Sequence, residues 1–83
     1  MDLTAIDTAL RPLSAALEHD GYKVAIEVVE HGVAVRVRAG HDACEECLVP
    51  KSVMATLMLQ SLSDAGLPVS REQLTLTYPA EDR

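Results

Sequence analysis

Cys44 and Cys47 are the only thiols of the 83-residue chain, and they stand two residues apart in the stretch His41-Asp42-Ala43-Cys44-Glu45-Glu46-Cys47. Thiols at this spacing can fall on one side of a turn, where they share a metal, close a small disulfide ring or exchange electrons. Each use needs a thiolate, which forms more readily where a helix N-terminus points its N–H groups at the sulfur. Glu45 and Glu46 act in the opposite sense, because adjacent carboxylates disfavour a second negative charge. Metal binding is therefore favoured over thioredoxin-like redox catalysis. His41, three residues before Cys44, extends the set to H-x-x-C-x-x-C, which suits zinc because a borderline-soft ion accepts nitrogen and sulfur together. Against this stand two plainer readings, a solvated loop histidine and a pair of small buried apolar cysteines. His19 and His31 fall at element ends and read as turn residues. Two thiolates cannot close a tetrahedral site, and the simplest completion is a second chain across a twofold axis, with four sulfurs around one metal or cluster.

Composition narrows the remaining functions. The formal net charge is −6, there is no Phe or Trp, and Tyr22 and Tyr78 are the only aromatics. Nucleic acid needs a basic surface and, for single strands, stacking platforms, so it is excluded as a partner; an anionic membrane surface is disfavoured on the same charge argument. No apolar run approaches the roughly 20 residues that span a bilayer, and Met1-Asp2-Leu3-Thr4 lacks the basic start of a secretory signal. A cytoplasmic setting is expected, in which a CxxC pair is more often a metal or redox site than a lasting disulfide. The chain offers no glycine-rich phosphate loop and no nucleophile–base constellation, so enzymatic turnover is not expected.

The elements that must position the thiols follow from periodicity. Leu3, Ile6, Leu10, Leu13 and Leu17 form the stripe of an amphipathic helix, with Thr4 and Asp7 resembling a capping box. Pro12 predicts a kink or an early end, and His19-Asp20-Gly21 a stop. Val24, Ile26 and Val28 alternate with Lys23, Ala25 and Glu27, and Val33, Val35 and Val37 alternate with Ala34, Arg36 and Arg38. The two runs are joined through Glu30-His31-Gly32, which predicts an antiparallel hairpin with Glu27 within reach of the two arginines. Pro50 suits the first turn of a second helix. Its apolar face reads as Val53, Met54, Leu57, Met58, Ser61, Leu62 and Ala65, with Gly66 and Pro68 closing it. Gln73 to Tyr78 reads as a third strand, and residues 79–83 as a disordered polar tail. The expectation is one α+β domain over residues 1–83, in the order α-β-β-α-β, with two helices on one face of a three-stranded mixed sheet.

Several of these residues resemble the C-terminal domain of NifU and its stand-alone relatives, from about Leu10 to Leu76. Leu10-Arg11-Pro12 with Asp20-Gly21 is similar to the family's first helix and its Asp-Gly-Gly turn. Gly32-Val33-Ala34-Val35-Arg36-Val37 is similar to its Gly-Val-x-Val-Arg-Leu strand, and Gly66-Leu67-Pro68-Val69 to its Val-Pro turn. Cys44 and Cys47 fall on its CxxC. The resemblance implies the same α-β-β-α-β fold, with the first helix kept through Pro12. It further implies a scaffold or carrier in iron–sulfur cluster assembly, whose four-iron four-sulfur cluster is held between two subunits by Cys44 and Cys47 of each, and protein recipients for that cluster. The sequence departs from the family at Tyr22, where a second glycine is usual, and at His41-Asp42, which look inserted. It departs again at Glu45 and Glu46, where small residues are usual, and at Leu48-Val49-Pro50 in place of Pro-Ser-Ser. Carboxylates beside an anionic cluster are unfavourable unless turned to solvent. A second reading therefore remains, a protein-interaction module or accessory subunit of the same fold whose cysteines hold zinc or no metal, and a third is a reversible Cys44–Cys47 redox sensor.

Overall fold

A computed structural model describes residues 3–41, 43 and 49–79 of the chain. The order is helix α1 (Leu3–His19), strands β1 (Tyr22–Val29) and β2 (Gly32–Ala39), helix α2 (Lys51–Asp64), a 3-10 turn (Arg71–Gln73) and strand β3 (Leu74–Thr77). This is the expected α-β-β-α-β arrangement. β2 is central in the sheet, antiparallel to β1 and parallel to β3.

The hairpin register sets Tyr22 opposite Ala39 and runs without interruption to Val29 opposite Gly32. Because side chains alternate across a strand, this places Val24, Ile26 and Val28 on the same face as Val33, Val35 and Val37, joined by Leu74 and Leu76. That face is closed by Ile6, Leu10 and Leu17 of α1 and by Met54, Met58 and Leu62 of α2, which together with Tyr22 form the core. The opposite face carries Lys23, Ala25, Glu27, Ala34, Arg36 and Arg38. In this register Glu27 stands opposite Ala34, Arg36 opposite Ala25 and Arg38 opposite Lys23, so Arg36 is the diagonal neighbour of Glu27 and Arg38 lies one pair further along.

α1 passes through Pro12 without ending there. Pro12 is exposed, so the carbonyl that loses its amide partner can turn to water, and the packed stripe on the other side keeps the helix together. Thr4 lies inside the helix rather than ahead of it, and Asp7 holds Arg11 one turn on instead of reaching back to a cap. Leu3, expected in the apolar stripe, is 48% exposed. The helix stops at Gly21, which takes a φ of 93°.

α2 departs most from its expected face. Met54, Met58 and Leu62 are buried, but Val53 and Leu57 are 45% and 42% exposed, and Ala65 is exposed too. Residues at i, i+4 and i+8 make a narrow stripe, and the neighbouring i−1 row turns outward because only one side of α2 meets the sheet. Pro50 is the residue before the helix rather than its first helical residue. At the other end the amide of Leu67 donates to Leu62 O at 2.8 Å and that of Gly66 to Ser63 O at 3.0 Å, a Schellman closure with Gly66 at φ 79°.

β3 begins one residue later than expected. Residues 71–73 form a 3-10 turn, stabilised where Gln73 Oε1 accepts the Ser70 backbone N–H at 3.0 Å and Gln73 N donates to Ser70 O at 3.0 Å. Pro79 lies in a turn and is half-buried, and the remainder of the expected disordered tail, residues 80–83, lies outside the described residues.

Candidate functional site

The cysteine segment leaves the sheet at the end of β2 and returns at the start of α2. Its departure is fixed where Gly40 N donates to Gly21 O at 2.9 Å. A Cβ on residue 40 would sit 2.3 Å from that carbonyl oxygen, so only glycine lets the two backbones approach this closely. The return is fixed by Tyr78, whose phenolic O–H donates to Val49 O at 2.7 Å. Ala43 and Val49 pack against the core from either side of the motif.

Thus the end of α1, the end of β2, the start of α2 and the residue after β3 meet around the two ends of one segment. Pro50 provides no side-chain cap for α2, and the first turn of that helix contains no acidic residue. The positive end of the helix dipole therefore faces the returning segment without a carboxylate of the first turn to offset it. Such an end favours a thiolate or another anion close by.

The ligands predicted from sequence divide in two. Cys44 and Cys47, with Asp42, Glu45 and Glu46, lie outside the described residues. His41 is described, is exposed, and together with Lys23 borders an open depression beside Gly21, Tyr22 and Gly40. Among the described residues no three His, Cys, Asp or Glu side chains gather in an arrangement that could hold a metal. Nor is any helix among them long and apolar enough to cross a membrane.

Tyr78 is the site residue that sequence reading missed. It was expected to end a strand, and it instead ties that end to the cysteine segment 29 positions away. Burial pushes its phenol above the ordinary tyrosine value, and the nearby Tyr22 adds to the shift. A raised folded-state pKa means that the protonated phenol's contribution is complete below the unfolded value of about 10 and is lost as pH rises through the folded value. Tyr78→Phe is expected to lower stability by about 1 kcal/mol at neutral pH through the lost hydrogen bond. The same change should flatten the fall in stability above about pH 10. Urea unfolding across the alkaline range checks both effects, and unchanged alkaline loss in the variant would assign the titration elsewhere.

In comparisons with known proteins, no family model, curated protein or solved structure matches the chain.

Proposed function

We propose that the protein is a cytoplasmic, NifU-like carrier that takes an iron–sulfur cluster as cargo on Cys44 and Cys47 and delivers it to recipient proteins, without turnover of its own. The observation that carries this reading is the tethering of the cysteine segment at both ends, by Gly40 to Gly21 and by Val49 to Tyr78. A segment with fixed ends presents its two thiolates in a restricted region, which lowers the ordering cost of capturing a cluster. The uncapped N-terminus of α2 adds a favourable field for anionic sulfur. The α-β-β-α-β order is the one the resemblance implies. Each chain provides two thiolates, so a second chain supplying two more would complete a four-iron four-sulfur site.

Anaerobic purification followed by iron and sulfide analysis and visible absorption tests this. The expected result is about four irons and four sulfides per two chains, lost in the Cys44→Ser, Cys47→Ser double variant with the fold unchanged by circular dichroism. Protein that takes up no iron on reconstitution rejects the cluster reading.

A second reading, an interaction module whose cysteines hold zinc or no metal, draws on the exposure of Val53 and Leu57 one turn apart on α2, directly after the cysteine segment. Partner binding that survives the double cysteine variant and fails in Leu57→Asp would support it.

A further inference from the structure

Among the described residues β1 is an edge strand of the sheet, paired with β2 alone. That edge is unusual for a small domain. Its eight residues contain no proline, and their register with β2 is unbroken by any bulge, whereas the opposite edge strand β3 is four residues long and is followed by Tyr78-Pro79. Long, regular edges invite another strand, because alternate backbone N–H and C=O groups point outward.

We propose that this edge pairs antiparallel with β1 of a second copy, around a twofold axis through Ala25. Two conditions select that register. Inner-facing residues must meet inner-facing residues, because a one-residue slip would turn Val24 and Ile26 of the incoming strand toward solvent. The only charged residues of β1, Lys23 and Glu27, share the outer face, and one antiparallel register alone places them opposite each other. In it Lys23 faces Glu27 of the partner subunit, and Glu27 faces Lys23 of the partner subunit. Opposite charges directly across a strand pair favour it, while like charges disfavour it. Ala25 then meets its own copy at the axis, and Val24 meets Ile26 of the partner subunit, with the relation repeated on the other side. The interface is self-complementary, as twofold symmetry requires.

The ground beside the edge is suited to an added strand. A groove of about 310 Å³ runs between α1 and β1, with Val24 and Ile26 on its strand side and a mostly polar helical wall of Leu3, Thr4, Asp7, Arg11, Ser14 and Glu18. An incoming strand would lay its own inner-facing Val24 and Ile26 beside this groove and extend the three-stranded sheet to six.

This association requires no metal and is separate from a cluster shared between cysteine pairs. In the joined pair the two Gly40 residues, where the cysteine segments leave the sheet, stand toward opposite ends of β1, and no residue of the interface belongs to those segments.

The test uses charge reversal on the full chain, with reductant and chelator present, read by sedimentation equilibrium and native mass spectrometry. The wild-type chain is expected to be a dimer, and to remain one in the Cys44→Ser, Cys47→Ser variant. Lys23→Glu alone and Glu27→Lys alone should each dissociate at least tenfold more readily while keeping the wild-type circular dichroism. An equimolar mixture of the two single variants should form a heterodimer, because each then sets unlike charges opposite, and the Lys23→Glu, Glu27→Lys double variant should dimerise with itself. A wild-type monomer at hundreds of micromolar overturns the proposal. So does a dimer indifferent to both single changes, or one that vanishes when the cysteines are replaced. Failure of iron loading, in contrast, would reject the carrier reading and leave this interface untouched.

Discussion

Gly32→Ala is expected to lose about 4 kcal/mol of folding stability, a large part of the 5–15 kcal/mol available to a domain of this kind. The added Cβ would lie 2.0 Å from Gln73 O and 2.7 Å from Gln73 C, both backbone atoms that cannot swing aside. Gly32 sits where β2 begins, and Val33 next to it pairs with Leu74, so the carbonyl of the 3-10 turn presses directly on residue 32. Forcing a methyl into that contact costs about 1–3 kcal/mol by overpacking. Residue 32 also has a φ of 153°, where a side chain adds a further cost on the order of 1–3 kcal/mol. In a domain of this length, each kcal/mol lowers the melting temperature by about 4–8 °C, so the variant should melt roughly 20 °C lower or fail to fold. Thermal unfolding followed by circular dichroism reads this directly. A variant within 1 kcal/mol of wild type would show that β3 docks without the close approach described.

Leu62→Ala is expected to cost about 2–5 kcal/mol, whereas Leu57→Ala on the same helix should change stability by no more than about 0.5 kcal/mol. The two residues are chemically identical and five positions apart. Leu62 is fully buried in the core, where truncation leaves a cavity that the packed neighbours fill only in part. Leu57 is 42% exposed and leaves no cavity. Paired denaturant curves decide the matter, and equal losses in the two variants would mean that α2 packs through the wider face its sequence suggests.

That contrast also marks where sequence reading gave out. Val24, Ile26 and Val28 against Lys23, Ala25 and Glu27 announce β1 because a period of two has one buried solution. Gly21 and Gly66 announce helix ends because few other residues accept their φ. α2 is apolar around much of its circumference, so periodicity admits Val53 and Leu57 as readily as Met54 and Met58, and tertiary contact decides between them. Gln73 continues an alternating pattern into a segment that is a 3-10 turn, because the Ser70–Gln73 bonds that close the turn compete locally with extension. At the candidate site the spacing of Cys44 and Cys47 is legible as chemistry. The contacts that hold their segment are not, since Gly40 with Gly21 and Tyr78 with Val49 join residues distant in sequence.

The parallel pairing of β2 with β3 has a kinetic consequence. Helix α1 and the β1–β2 hairpin rest on contacts between near neighbours and can form on the microsecond scale. Val33 meets Leu74 only after the long intervening chain has been drawn closed, at an entropic cost that must be met before the pairing rewards it. Cys44 and Cys47 lie inside that closing ring, and the Tyr78 tether can form only once the last strand has docked. The Gly40 end of the segment that bears both thiols can be held as soon as the hairpin closes, whereas its Val49 end has no Tyr78 clamp in a nascent chain still lacking β3.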